Sequence, residues 1–578
     1  MSKESTKKVV HTILRSWKLL LGVLIPILLL PLPLIIQKNE AKCGYVVLLM
    51  ASYFTFEPIP LAATAFIPVF LFPILGILGT EEVCYTYMKA TIMMYLGSLL
   101  LAAAVEHSQL HRRIAWRVLM LIGTGPRWLM LGFLITTTFL SMWITNTAAT
   151  AMLVPIVEAV VSELETELKY QEKIRSSMER VSIITIQSVN LQGTKFSLTE
   201  STTQRPSIIN NPKKLEKTTS NLRKALFLSV AYAANCGGTG TLIGSGPNLV
   251  FKGVLEDSFP NYTSLTFGTW MLYNVPVMII WIIICWILLQ IYYIPFRKSD
   301  QNSGESKEVI RNVIIRNYEK LGSMTFHEFA VMALFLLLVF LWIMRDPPYL
   351  LGWARLIDPG VKIKDATPSI GVAMLLFLIP AKPTQLSTSP PLLDWKTAQA
   401  KVPWGVLILL GGGLALAEGA KASGLSVWLG NQLVYLKYLS IDGAIIVLCI
   451  FTAALTEVIS NMSMATIMLP VANQMASVLK VHPILIMLPV TIACSLAFML
   501  PVGNPSNAIV YENTGMTTPE MAKPGFIFKI LCCGVELLMI NTFGVYVFHL
   551  HSHWNWENST VSSMATTYVP PLNLSTVI

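Results

Sequence analysis

Ile144–Pro155 reads ITNTAATAMLVP, and Ile459–Pro470 reads ISNMSMATIMLP. Ile, a hydroxyl residue, Asn and a closing Pro align at one constant offset, with apolar residues filling the positions before the Pro. Each copy lies inside an apolar stretch too broken to form one plain crossing, so each reads as a re-entrant hairpin of two half-helices meeting at the hydroxyl-Asn tip. A second pair of interruptions follows downstream: Gly237-Gly238-Thr239-Gly240-Thr241-Leu242-Ile243-Gly244-Ser245-Gly246-Pro247-Asn248, and Leu500-Pro501-Val502-Gly503-Asn504-Pro505-Ser506-Asn507. Gly and Pro at this density break a helix and expose backbone amides and carbonyls. At membrane depth that is tolerated only where the exposed groups line a cavity or hold an ion.

Small polar residues and Gly are common wherever membrane helices touch, so a single string of this kind would mean packing. Four interruptions in two matched pairs point instead to an inverted repeat around one central site, the arrangement of a secondary transporter. The interval from Asn146 to Asn248 is more than twice that from Asn461 to Asn507. A polar insert from about Ser162 to Lys224, rich in Ser, Thr, Lys and Glu, accounts for the difference and reads as a cytosolic loop.

Composition agrees. The chain has 578 residues, 54% hydrophobic and 13% charged, with mean hydropathy +0.60, which no ordinary water-facing surface accommodates. Long uncharged runs, among them Leu19 to Gln37, Asn274 to Ile294, Phe329 to Met344 and Gly405 to Ala417, predict about eleven membrane-spanning helices plus the two hairpins. The fold expected is thus an all-α polytopic membrane protein. No small-residue cleavage site follows the first apolar run, so it is read as a retained span.

Basic segments mark the cytosolic side. Lys3, Lys7, Lys8, Arg15 and Lys18 place the N-terminus inside, while the tail has no Lys or Arg beyond Lys529 and is expected outside. The sequons at Asn261, Asn558 and Asn573 are candidate glycosylation sites on the outer face. The net charge of +10 follows from this basic inner face and needs no nucleic-acid partner. The expected layout is 1-160 for the first spans and first hairpin, 161-224 for the cytosolic insert, and 225-296 for the first interrupted helix and the next span. A cytosolic linker follows at 297-325, the second repeat at 326-548, and the outer tail at 549-578. The eight cysteines are scattered without metal-type spacing, although Cys43 and Cys84 both fall in segments expected outside and could pair.

Sodium needs several oxygen ligands, and hydroxyls, Asn carbonyls and unwound backbone supply them without a buried charge. Thr145 and Asn146 with Gly237, Gly238 and Thr241 form one oxygen-rich cluster. Ser460 and Asn461 with Gly503, Asn504, Ser506 and Asn507 form the other. Half-helix N-termini between the tips would direct partial positive charge at an anion. Glu457, close before Ser460, either tunes the second cluster or makes a structural hydrogen bond. His327-Glu328 lacks the second His of a zinc-protease motif, Gly244-Ser245-Gly246 lacks the glycine pattern of a hydrolase elbow, and no Gly-Lys-Ser/Thr phosphate loop is present. Enzyme and nucleotide-driven pump readings are therefore disfavoured.

These strings, with Leu140-Ser141-Met142-Trp143, Lys401-Val402-Pro403-Trp404-Gly405, Leu410-Gly411-Gly412-Gly413 and Phe498-Met499-Leu500-Pro501-Val502, resemble the divalent anion/sodium symporter family, solute carrier family thirteen, nearly end to end. The resemblance is greatest to its INDY-type animal di- and tricarboxylate transporters. It implies sodium-coupled transport of citrate- or succinate-like anions by elevator-type alternating access, in a homodimer at the plasma membrane, with no cofactor beyond the coupling ions. It also implies substrate contacts at Asn146, Thr147, Asn461, Met462, Gly411 and Pro505. Sulfate transport and sodium-independent carboxylate exchange are the alternatives; an anion channel fits the paired interruptions less well. The family's Ser-Asn-Thr motif stands here as Thr145-Asn146-Thr147 and Ser460-Asn461-Met462. Thr145 keeps the hydroxyl. Met462 loses it, so that if the substrate lies between the tips, Thr147 can donate a hydrogen bond to it and Met462 cannot. Neither tip Asn is expected in a packed core.

Overall fold

A computed structural model describes residues 17–166 apart from 124 and 164, 212–294 apart from 261 and 263, 303–347, 352–357, 361–385, 388–432 and 440–550. Among the described residues regular structure is helical, save one isolated bridge between Pro380 and Pro391. The three sequons at Asn261, Asn558 and Asn573, the tail and most of the polar insert lie outside the described residues.

The helix Phe267–Tyr293 shows why lipid is the solvent. Thr266 starts it with a reciprocal cap: its Oγ1 accepts from the Thr269 amide at 3.1 Å, and its own amide donates to Thr269 Oγ1 at 2.8 Å. The helix runs 27 residues, about 40 Å at the usual rise, enough to cross hydrocarbon. One face buries Trp270, Tyr273, Val277, Trp281 and Leu289, while Ile279, Ile283, Ile287 and Ile291 are exposed by 44 to 60%. A stripe of isoleucines at this spacing is stable against acyl chains and not against water. Six described helices are long and apolar enough to span a bilayer, and five shorter apolar ones accompany them. The first apolar run is broken: Trp17–Leu29 is followed by a short Pro31–Ile35 helix, because Pro31 and Pro33 interrupt the backbone ladder.

Both hairpins form. Pro126–Ser141 turns through 142–145 into a helix over 146–163, and Ile441–Leu455 turns through 456–460 into Asn461–Leu479. Both interrupted helices form as well. Pro212–Gly237 resumes at Gly246–Ser258 after a non-helical 238–245, and Pro483–Cys494 resumes at Pro505–Thr514. Pro126–Ser141 lies along Pro212–Gly237, Asn461–Leu479 lies along Pro483–Cys494, and Asn461–Leu479 also packs on Gly246–Ser258. The two repeats are thereby crossed over one another.

A second set of helices, Asn39–Phe56, Ala90–His107, Phe326–Ile343 and Ala366–Leu378, flanks this unit. Trp404–Ala422 runs between the two sets. Its three successive glycines make room on different sides: an added Cβ would meet the Tyr87 ring at Gly411, Ala65 at Gly412, and Thr466 of the second hairpin at Gly413. Three ion pairs tie Gly246–Ser258 to the flanking set: Lys252–Asp365 at 2.5 Å, Lys89–Asp257 at 2.6 Å and Lys364–Glu256 at 2.6 Å.

Cys43 and Cys84 do not pair. Both are free; Cys43 is buried in Asn39–Phe56, whereas Cys84 is exposed. The apolar helix around Cys43 draws it into the core, where it packs as a small hydrophobe.

One close helix crossing is at Gly97, where an added Cβ would come within 2.7 Å of Ser369. Gly97→Val is expected to cost about 1–3 kcal/mol by overpacking and to lower the unfolding temperature of the detergent-purified protein.

Candidate ion and substrate site

The hairpin tips are held by the same device in both repeats. Ser141 Oγ lies 2.9 Å from Asn146 Oδ1 and 2.7 Å from the Ala234 carbonyl. Thr456 Oγ1 lies 3.1 Å from Asn461 Oδ1 and 2.7 Å from the Cys494 carbonyl. In each case a hydroxyl five residues before the tip Asn joins that Asn to the end of the helix that is about to break. Thr145 and Ser460 act as helix caps: Thr145 Oγ1 accepts from the Ala148 amide at 3.3 Å, and Ser460 Oγ accepts from the Ser463 amide at 3.3 Å.

The broken helices are held alike too. Asn248 Nδ2 donates to the carbonyls of Gly238 at 2.9 Å and Thr241 at 2.8 Å. Asn507 Nδ2 donates to those of Ala497 at 3.0 Å and Leu500 at 3.1 Å. The spacing is ten and seven residues in both repeats, so one carboxamide grips each unwound loop at matched points. A Cβ on Gly238 would stand 2.3 Å from Asn146 Oδ1, so any larger residue there displaces the tip carboxamide. At Gly503 a Cβ would stand 2.9 Å from the Glu457 carbonyl oxygen.

Asn235 ties the two repeats together and escaped the sequence reading. Fully buried, its Oδ1 accepts from Asn504 Nδ2 at 2.6 Å and from Asn146 Nδ2 at 3.4 Å. Its Nδ2 donates to the Ala497 carbonyl at 2.7 Å and lies 3.5 Å from Asn507 Oδ1. The first tip therefore reaches the second broken helix through one side chain. Ser141 and Thr456 were also missed. Extending the repeat alignment three residues toward the N-terminus brings them opposite one another, and a carboxamide in the apolar run just before Gly237 is the signal for Asn235.

The structure sets Asn146 against Gly238, and Asn248 joins Gly238 to Thr241. In the second repeat Gly503 lies against the Glu457 backbone, Asn504 and Asn507 meet at Asn235, and Ser460 and Asn461 bond to Ser463 and Thr456. Asn248 Oδ1, Ser495 Oγ, Ser506 Oγ and Thr150 Oγ1 are buried without a hydrogen-bond partner among the described residues. Oxygens of this kind, free of internal bonds and uncharged, suit a small hard cation. Four helices begin here, at Asn146, Gly246, Asn461 and Pro505, and their N-termini offer partial positive charge to an anion.

Asn146 is 8% exposed and lies in packed surroundings, contrary to the expectation for a tip residue; the crossing of the two repeats covers it. Asn461 and Thr147 are half-buried. Met462 is buried and lies over Gly246, where an added Cβ would approach its Sδ to 2.8 Å. Pro505 is exposed at the first turn of its helix. Gly411 rests against Tyr87, and its carbonyl lies 3.4 Å from Thr86 Oγ1.

Over residues 12–550 the sequence matches the family described as the sodium:sulfate symporter transmembrane region. The chain belongs to that family. Similar proteins include the mouse Na(+)/citrate cotransporter, 38% identical over 93% of this chain and 96% of that one. Human solute carrier family 13 member 2 is 38% identical over 94% of this chain and 96% of its own length. The mouse Na(+)/dicarboxylate cotransporter 3 is 34% identical over 97% of both chains. The solute carrier family 13 resemblance of the two tip motifs therefore extends along the whole membrane region, and the family is one of transporters.

Asn235→Ala would strand the Asn504 side-chain amide and leave the Ala497 carbonyl to Asn507 alone. Each buried group left unsatisfied costs about 1–3 kcal/mol, so the variant is expected to unfold at a lower temperature in detergent. An unchanged unfolding temperature would show that Asn235 does not join the repeats.

Proposed function

We propose that the chain is a sodium-coupled secondary transporter of di- and tricarboxylates. The observation that carries this reading is the matched pair of unwound loops, each gripped by one Asn carboxamide and each facing a hairpin tip, with uncharged oxygens and helix N-termini but no Lys or Arg at the tips. Neutral oxygens suit sodium, and helix N-termini suit carboxylates. The high identity to cotransporters named for sodium with citrate and for sodium with dicarboxylates supplies the substrate class.

In this account sodium binds at two clusters. The first is Thr145, Asn146, Gly237, Gly238 and Thr241; the second is Ser460, Asn461, Gly503, Asn504 and Asn507. The anion lies between the tips, where Asn146, Thr147 and Asn461 offer donors. Met462, packed on Gly246, shapes that side by its volume and leaves recognition to Asn461 and backbone amides. Transport follows an elevator motion in which the crossed repeats slide against the flanking set. The protein works as a homodimer in the plasma membrane, with the N-terminus cytosolic and the tail outside, as the distribution of basic segments favours.

The test is uptake of radiolabelled citrate, succinate and sulfate into proteoliposomes, with sodium or choline outside. Saturable citrate or succinate uptake that collapses in choline is expected, with sulfate at most a weak competitor. Uptake equal in choline would favour exchange over symport, and uptake of sulfate alone would overturn the carboxylate reading.

A further inference from the structure

The repeat symmetry that relates Asn146 to Asn461 also relates Met142 to Glu457, each four residues before its Asn. Here the two halves diverge. In the first loop the amides of Thr239 and Gly240 close a local turn by donating to the carbonyls of Cys236 at 3.2 Å and Gly237 at 3.0 Å, and Thr241 Oγ1 donates to the Met142 carbonyl. Only neutral groups are involved.

In the second loop the equivalent amides make no such turn, and residues 496–498 have no regular structure. Three successive amides, those of Phe498, Met499 and Leu500, go to one side chain. Phe498 and Met499 donate to Glu457 Oε1 at 3.0 and 3.2 Å, and Met499 and Leu500 donate to Oε2 at 3.0 Å each. Lys529 pairs with Glu457 Oε1 and also donates to the Ala453 carbonyl at 2.6 Å, at the end of the preceding half-helix. Glu457 and Lys529 are 5 and 6% exposed. A buried carboxylate is tolerated when an ammonium and several donors satisfy it, and this one has both.

We propose that Glu457 is the positioning residue of the second cation loop: by holding three successive amides it keeps that loop open and fixes the Ala497 and Leu500 carbonyls. This rests on the sodium-coupled reading above. The Phe498 amide shares its peptide unit with the Ala497 carbonyl, so donation to a carboxylate enriches that oxygen in negative charge. Asn507 holds the same carbonyl from the other side, and Asn235 does so from the first repeat. The second loop is thus ordered before any ion arrives, whereas the first relies on neutral contacts. The three amides, a ready anion nest in other settings, are filled by Glu457 and are not available to the substrate.

The decisive variant is E457Q/K529M, which removes both buried charges and leaves the three amides without a carboxylate. The readout is the sodium dependence of the unfolding temperature of purified full-length protein, without substrate, alongside the sodium dependence of uptake. The half-saturating sodium concentration is expected to rise roughly tenfold, the scale of losing one charge-assisted hydrogen bond, while uptake at saturating sodium is largely retained. A sodium midpoint within twofold of wild type would overturn the proposal, since Glu457 would then serve only to neutralise Lys529. Should the double variant not fold, E457D decides on the same criterion: its shorter carboxylate keeps the charge but cannot reach all three amides. A wild-type protein whose unfolding temperature ignores sodium would instead overturn the sodium-coupled reading, a result separable from a failure of the variants.

Discussion

Everything in the central unit depends on how unwound backbone is satisfied where no water is at hand. Two helices stop and restart in the middle of an apolar body, and each break exposes carbonyls that hydrocarbon cannot solvate. One carboxamide per break answers this: Asn248 holds Gly238 and Thr241, and Asn507 holds Ala497 and Leu500. Each Asn belongs to the helix that resumes after the break, so the grip also fixes where that helix starts. Without the carboxamides the carbonyls they hold would be left unsatisfied in an apolar body.

The unit is symmetric in design and asymmetric in charge. Hydroxyl and tip Asn recur at equal spacing in both repeats, and each gripping Asn holds the carbonyls ten and seven residues before it. The carboxylate of Glu457 occurs in one repeat only, and Asn235 stands where the other repeat has Cys494. These departures fall on the second loop, which is braced from three directions. Where the unit meets the flanking helices, contact is electrostatic: Lys252, Glu256 and Asp257 on one helix pair with Asp365, Lys364 and Lys89. Triple glycine in Trp404–Ala422 supplies close backbone approach on both of its sides. Pairs that are partly exposed hold weakly and can be exchanged for water, while the deeply buried Lys252–Asp365 pair is costly to break.

The interruptions were legible because Gly and Pro act locally: their effect on a helix does not need a partner. Thus the hairpins at 144–155 and 459–470 and both broken helices could be placed from spacing alone. The break at Pro31 was present in the same signal and was passed over in favour of an unbroken apolar run. What spacing cannot convey is which side chains meet across the crossover. Asn235 lies far in sequence from Ala497 and Asn504, and nothing in its own neighbours announces them. Lys529 reads as an ordinary basic residue until the fold brings it to Glu457. Met462 aligns with Thr147 in the sequence, whereas its packing over Gly246 is a contact made only when the two repeats cross. Cys43 and Cys84 failed as a pair for the opposite reason, since shared sidedness does not imply shared surroundings.

The central claim is that the two tips and the two gripped loops enclose one ion and substrate site. A cryo-electron microscopy map of the full-length protein in sodium and succinate, compared with one in choline alone, tests it most directly. The account predicts extra density between Asn146 and Asn461, with further density beside the Gly238–Thr241 and Ala497–Leu500 carbonyls, absent in choline. Ligand density elsewhere, with the space between the tips unchanged between the two maps, would contradict it.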